Sequence, residues 1–209
     1  MEIVLLACSN RKEKGGVPEY AHSVQLKQHL APDSYQRLIN IRAELVRSAM
    51  PEKSLPIGPD TGYPSTQKDA KYLPAYIRYK GIVYMRGRVE ELYPQQTQVR
   101  LVIISALYGL LDGEDLIQDY DLRIDEKVGG RRLYTWWNHH RLGSVVEEYI
   151  RSCKPEIVHD LLPISYQKAL QPWPRDNFRH IWKPLDCSGL GQGASWRRGD
   201  YLSNLLLKK

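Results

Sequence analysis

The sequence has little cysteine: three residues, Cys8, Cys153 and Cys187, in a chain of 209. None belongs to a CxxC pair and the count is odd, which argues against a disulfide framework and a structural zinc site and fits a reducing compartment. The neighbouring His139 and His140 cannot readily chelate one ion from a helix, because their side chains diverge by about a quarter turn, and no His-x3-His pattern accompanies them. No metal and no cofactor is expected.

Long hydrophobic runs are missing too. The opening Met1-Glu2-Ile3-Val4-Leu5-Leu6-Ala7 is apolar over far less than a bilayer span and has no basic region before it. Neither a signal peptide nor a membrane helix is expected, so the chain reads as cytoplasmic with no membrane partner. Interdomain linkers, internal repeats and low-complexity tracts are also absent. At roughly 100–200 residues per domain, residues 1–209 are expected to form one domain.

Charge is present in excess of one sign. Lys and Arg total 30 against 24 for Asp and Glu, a formal net charge of +6, which favours polyanionic partners over polycationic ones.

Ile3 to Ala7 is an aliphatic run that ends in Cys8-Ser9-Asn10-Arg11-Lys12, the pattern of a buried strand releasing into a polar loop. Leu101 to Ile104 followed by Ser105 repeats it, and Ile157-Val158 with His159-Asp160 repeats it more faintly. Leu38, Ile41, Leu45 and Val46 recur at helical spacing within 34–50, with Pro51 closing the helix. Residues 71–79, 133–153 and 196–207 also read as helical. Strands separated by helices predict an α/β fold in one compact domain, with a mixed, partly parallel central sheet flanked by helices. The segment 52–66, with Pro56, Gly58, Pro59, Gly62 and Pro64, reads as a loop, a mobile flap being one role open to it. Segments 170–177 and 186–195 read as irregular.

The most informative stretch is Ser105-Ala106-Leu107-Tyr108-Gly109-Leu110, continuing through Asp115-Leu116-Ile117-Gln118-Asp119-Tyr120-Asp121-Leu122-Arg123. Ligands of α/β sheets bind beyond the carboxyl ends of strands, where Ser105 and Tyr108 are expected to lie. A turn packed for structural reasons accounts for the same residues equally well.

This stretch resembles the YaaA peroxide-stress family, whose members read S-G/A-L-Y-G-hydrophobic followed by D-L/I-hydrophobic-Q-P-Y-R-L. Further similarities are Ser9 and Lys12 in the position of S-P-A-K, 76–84 in that of F-x-G-D-V-Y, Leu133 to Trp137 in that of L-Y-x-F-W, and Tyr166 with Lys168 in that of E-Y-F-K. The chain departs from the pattern at Asp119 for proline, Asp121 for arginine and Ile82 for aspartate. The resemblance implies a compact cantaloupe-like α/β fold and an N-terminal helical hairpin of helix-hairpin-helix type, sought here at 30–45. It also implies a positively charged cleft, binding of double-stranded DNA, and protection during peroxide stress.

The residues themselves supply two functional readings. In the first, Ser9, Arg11, Lys12, Tyr84, Arg86, Arg88, Ser105, Tyr108 and Arg123 hold nucleic-acid phosphates or a nucleotide-like ligand, cations neutralising phosphate and aromatics stacking on bases. A solvated basic loop and core aromatics are the plainer account of the same residues. In the second, an enzyme acts on a nucleobase, nucleoside or nucleotide by glycosidic-bond cleavage or transfer, with Lys12, Ser105, Tyr108 and Asp160 as catalytic candidates. Cys8, beside Arg11 and Lys12, is either a favoured thiolate or a packing residue. A purely structural interaction module is the third possibility.

Overall fold

Ile3 to Leu6 are all buried in strand β1 (Glu2–Ala7). Successive side chains of a strand face opposite sides, so a run buried without alternation requires both faces of the sheet to be covered. The computed structural model, which describes residues 1–20, 25–50, 52–172 and 181–208, supplies that cover with helices. After β1 come α1 (Leu26–His29), α2 (Pro32–Ala49), β2 (Leu73–Pro74), α3 (Ala75–Arg78), α4 (Ile82–Arg86), α5 (Val89–Leu92) and β3 (Val99–Ser105). The chain continues through β4 (Gly109–Asp112), β5 (Leu116–Ile117), β6 (Lys127–Val128), β7 (Arg131–Arg132), α6 (Leu133–His139) and α7 (Leu142–Cys153). It closes with β8 (Ile157–Asp160), α8 (Ile164–Ala169), β9 (Ile181–Pro184) and α9 (Gly193–Leu206).

The main sheet has the order β4-β3-β1-β8-β9. β1 runs parallel to both β3 and β8, β9 parallel to β8, and β4 antiparallel to β3. The mixed, partly parallel sheet expected from the sequence is present, in one compact α/β domain. Each fully buried Leu, Ile or Val of the central strands contributes about 1.5–3 kcal/mol relative to an exposed one, and a single apolar cluster joins β1, β3 and β8 to α2, α7 and α9.

Several elements differ from expectation. Residues 71–79 hold only the single turn α3, because Pro74 ends the helical option upstream and Leu73-Pro74 pairs with β5 instead. Residues 133–153 form two helices, separated where Arg141 takes a left-handed conformation at φ 56°. Helix α2 begins with Pro32 in its first turn, where a missing N–H costs nothing. Pro51, expected to close it, and 173–177 of the irregular 170–177 stretch lie outside the described residues. The expected N-terminal hairpin is not confirmed: the described residues there give the single turn α1 and then the long α2.

The loop 52–66 is packed down instead of hinged outward. Leu55, Asp60 and Thr61 are buried, and the Thr61 hydroxyl accepts the Gly58 N–H at 3.0 Å while reaching the Pro56 carbonyl at 3.1 Å.

The 105–109 motif is a hairpin turn. Ser105 pairs with Gly109 across β3 and β4, and the Tyr108 N–H donates to the Ser105 hydroxyl at 3.1 Å. Gly109 has φ +69°, and a Cβ there would lie 2.6 Å from the Trp137 ring, so both backbone and space demand glycine. Trp137 in turn donates its indole N–H to the Ala106 carbonyl at 2.8 Å.

Candidate functional site

In the parallel part of the sheet, the chain moves from β1 to one side to form β3 and to the other to form β8 and β9. The crevice beyond the carboxyl ends of β1 and β8 is therefore the topological switch point, where open α/β sheets place ligands. A cavity of about 200 Å³ lies there, walled by Ala7, Cys8 and Ser9 after β1, Leu161 and Pro163 after β8, Tyr84 of α4, Tyr166 of α8, and Ser195 and Arg198 of α9. The Tyr84 hydroxyl donates to the Ala7 carbonyl at 2.9 Å, fixing the end of β1.

A larger cavity of about 460 Å³ adjoins it, with Tyr84 lining both, and is walled by Arg11, Lys12, Glu13, Lys14, Tyr79, Lys80, Arg88, Glu90 and Glu91 among others. The loop that carries Arg11 and Lys12 is held by backbone pairing. The Glu13 N–H donates to the Arg78 carbonyl at 2.8 Å and the Lys80 N–H to the Arg11 carbonyl at 2.9 Å. Buried Arg78 clamps the same loop by donating to the carbonyls of Glu13, Gly15, Lys71 and Ile117 at 2.5–3.2 Å. A guanidinium saturating four carbonyls cannot be replaced by a flexible ammonium without loss of order.

The cations of this hollow divide into paired and unpaired. Lys80 pairs with Glu90 and Glu13, Arg88 with Glu91, and Lys14 with Asp119. Among the described residues, Arg11 and Lys12 have no carboxylate within ion-pair distance. Lys12 Nζ sits 4.0 Å from the centre of the Tyr120 ring. Burial lowers the Lys12 pKa from the usual lysine value, opposed by the nearby Cys8, Asp119 and Asp121, so an arriving anion would relieve a partly desolvated ammonium.

Behind Lys12 lies a chain of hydroxyls. Tyr120 O–H meets the Ser105 hydroxyl at 2.8 Å and Tyr79 O–H at 2.9 Å, while the Cys8 thiol meets Tyr166 O–H at 3.2 Å. Burial raises the pKa of Tyr79, Tyr120 and Tyr166 far above the ordinary phenol value. These phenols stay neutral, and Tyr166 is in hydrogen-bond contact with the sulfur. Tyr79 and Tyr120 were not singled out from the sequence; the only signal is their place beside Lys80-Gly81 and within Asp119-Tyr120-Asp121.

Of the sequence-derived candidates, Ser9, Arg11, Lys12, Tyr84 and Arg88 line the two cavities. Ser105, Tyr108 and Asp160 lie inside the protein. Ser105 is the turn acceptor described above. Tyr108 donates to the Asp60 carboxylate at 2.6 Å, and Asp160 accepts the Leu162 N–H at 3.0 Å. Tyr108 stays one ring away from the hollow, edge-on to Tyr120 at 5.5 Å between centres. Arg86 pairs with Asp200 and covers the Trp196 ring at 4.9 Å, and Arg123 pairs with Asp125 at 3.1 Å; neither lines the two cavities. Among the described residues there is no His, Cys, Asp and Glu group arranged to hold a metal ion, and no helix is long and apolar enough to cross a membrane.

Comparison with known proteins agrees with the motif. The family model described as peroxide stress protein YaaA matches residues 4–184. A UPF0246 protein of Polynucleobacter necessarius is 27% identical over 179 residues, covering 82% of this chain and 62% of the relative. UPF0246 proteins of Shewanella sp. MR-4 and Cellvibrio japonicus are 33% and 32% identical, covering 47% and 54% of this chain and 40% and 45% of their own lengths. The chain thus aligns with about half the length of these relatives. It belongs to the YaaA family of peroxide stress proteins.

Proposed function

We propose that this YaaA-family chain binds nucleic acid, with double-stranded DNA as the partner, by neutralising phosphates at the hollow beside β1, and that this contact serves protection during peroxide stress. The observation that carries the reading is the contrast within one cavity: Lys14, Lys80 and Arg88 are paired, whereas Arg11 and Lys12 have no carboxylate partner among the described residues. Two cations without a carboxylate partner, exposed Arg11 and partly desolvated Lys12, next to the Ser9 hydroxyl suit a phosphate. The net charge of +6 acts in the same direction by drawing in a polyanion.

The test is duplex binding as salt is raised. Each phosphate contact contributes about 0.9 to the slope of log affinity against log salt, so Arg11→Ala with Lys12→Ala should flatten the slope by about 2 and weaken binding. Binding that ignores salt, or that is identical in the double variant, overturns the proposal.

A second reading, an enzyme acting on a nucleobase, nucleoside or nucleotide at this hollow, is favoured by one arrangement: a half-buried thiol flanked by neutral phenols, close to a lysine of lowered pKa. Lys12 is its acid-base candidate, while Ser105, Tyr108 and Asp160 are enclosed. Release of free base in the same incubations, abolished by Lys12→Ala in a folded protein, would favour it over binding alone.

A further inference from the structure

We infer that the 200 Å³ slot at the end of β1 receives one unpaired nucleobase from the nucleic acid whose phosphates lie at Arg11 and Lys12, an inference that rests on the phosphate reading above. The slot is smaller than the roughly 300–1,000 Å³ of sites for drug-sized ligands. It has room for a single planar ring system and none for a base pair.

Its walls have the chemistry of a base site. Tyr84 and Tyr166 supply aromatic surface, Leu161 and Pro163 apolar surface, and the slot opens beside the unpaired cations because Tyr84 is common to both cavities. Stacking on aromatic faces accepts any base. One wall asks for more than an apolar ring: the Arg198 side chain lines the slot and carries guanidinium N–H donors. The carbonyl or ring nitrogen of a base is the acceptor that such a donor takes. The mouth carries apolar surface that a soluble protein does not need for its own core. Ile82, a wall of the slot, is 52% exposed. A base that enters must leave its stack, which is least costly where it is already unpaired.

The experiment compares three duplexes with the full chain: one fully matched, one with a single bulged thymine, and one with an abasic bulge at the same place. Thymine offers carbonyl acceptors to Arg198, and the abasic bulge reproduces the bend without the base. The thymine bulge should bind about tenfold more tightly than the abasic one. Ser195→Phe, which fills the slot, should remove that preference and leave matched-duplex affinity unchanged. Arg198→Met, which keeps the wall and deletes the donor, should reduce the preference and serves if the phenylalanine variant does not fold. Equal affinity of the wild type for thymine and abasic bulges overturns the inference, as does a preference unchanged in both variants. Loss of salt-dependent binding to the matched duplex, with the thymine preference kept, overturns the phosphate reading and leaves the slot standing.

Discussion

Two groups of cations lie on either side of Tyr120, Arg42 with Tyr108 and Asp60 on one side and Arg11 with Lys12 on the other, and they differ in how far they are satisfied. On the hairpin side, Arg42 of α2 donates to the carbonyls of Tyr108, Asp60 and Leu110 at 2.7–2.9 Å, and Asp60 accepts from Tyr108 O–H and from the backbone and side chain of Gln118. Donors and acceptors there are matched within the protein and buried. On the β1 side, Arg11 and Lys12 stand at a cavity with no carboxylate of their own among the described residues. Residue type alone does not distinguish the two sides; saturation of hydrogen bonds and charge does. A satisfied network rigidifies, and cations without a carboxylate are what the proposed phosphate contact calls for.

The largest effect is expected at Arg42. Arg42→Met leaves three carbonyls without their donor and Asp60 without its nearby positive charge, and should destabilise the fold by about 3–5 kcal/mol in urea denaturation. A loss below about 1 kcal/mol would mean that the network is not what holds the hairpin to α2.

A second effect follows from Asp115, buried at the end of the same hairpin. Burial, followed by repulsion from Asp112, raises its pKa from 3.8 to about 7. The unfolded chain then gives up this proton at lower pH than the folded one. Its stabilising contribution is complete below pH 4 and is lost as pH rises towards 7, a change on the order of a few kcal/mol. His159 has the opposite sign: burial lowers its pKa from 6.5, so its contribution is present above that value and lost as pH falls. Chemical denaturation of wild type and Asp115→Asn across pH 4–8 isolates the first effect, because the asparagine variant should lose most of the downward slope. An unchanged slope would remove Asp115 as its source.

Stability should depend far less on the cations of the hollow. Arg11→Ala and Lys12→Ala touch none of the Arg42 network and, with the Lys12 contact over the Tyr120 ring lost, should shift stability by no more than about 1–2 kcal/mol while weakening duplex binding. A stability loss comparable to that of Arg42→Met would place these cations in the structural class and leave the hollow without its phosphate contacts.

Much of the sheet was legible in the residues. The unbroken apolar runs of β1 and β3 announce strands covered on both faces, and the three- and four-residue spacing of Leu38, Ile41, Leu45 and Val46 announces α2. The short elements were not, since single turns such as α3 and two-residue strands such as β2 and β5 are set by partners far along the chain. The site was half legible for the same reason. Arg11 and Lys12 follow a readable strand, but nothing local says that Tyr108 turns inward to Asp60 or that Tyr166, 158 residues from Cys8, meets its sulfur.

By itself the chain's sequence determined its family, its excess of positive charge, its central parallel strands and the polar loop that leaves β1, because each of these is written in neighbouring residues or in their sum. Which polar groups are spent on the protein and which stand without a carboxylate partner among the described residues came from contacts between distant segments. Whether a tyrosine or an arginine is saturated depends on carbonyls and carboxylates brought to it by the folding of distant segments, and hydrogen bonds of a few ångströms are made only once those segments meet.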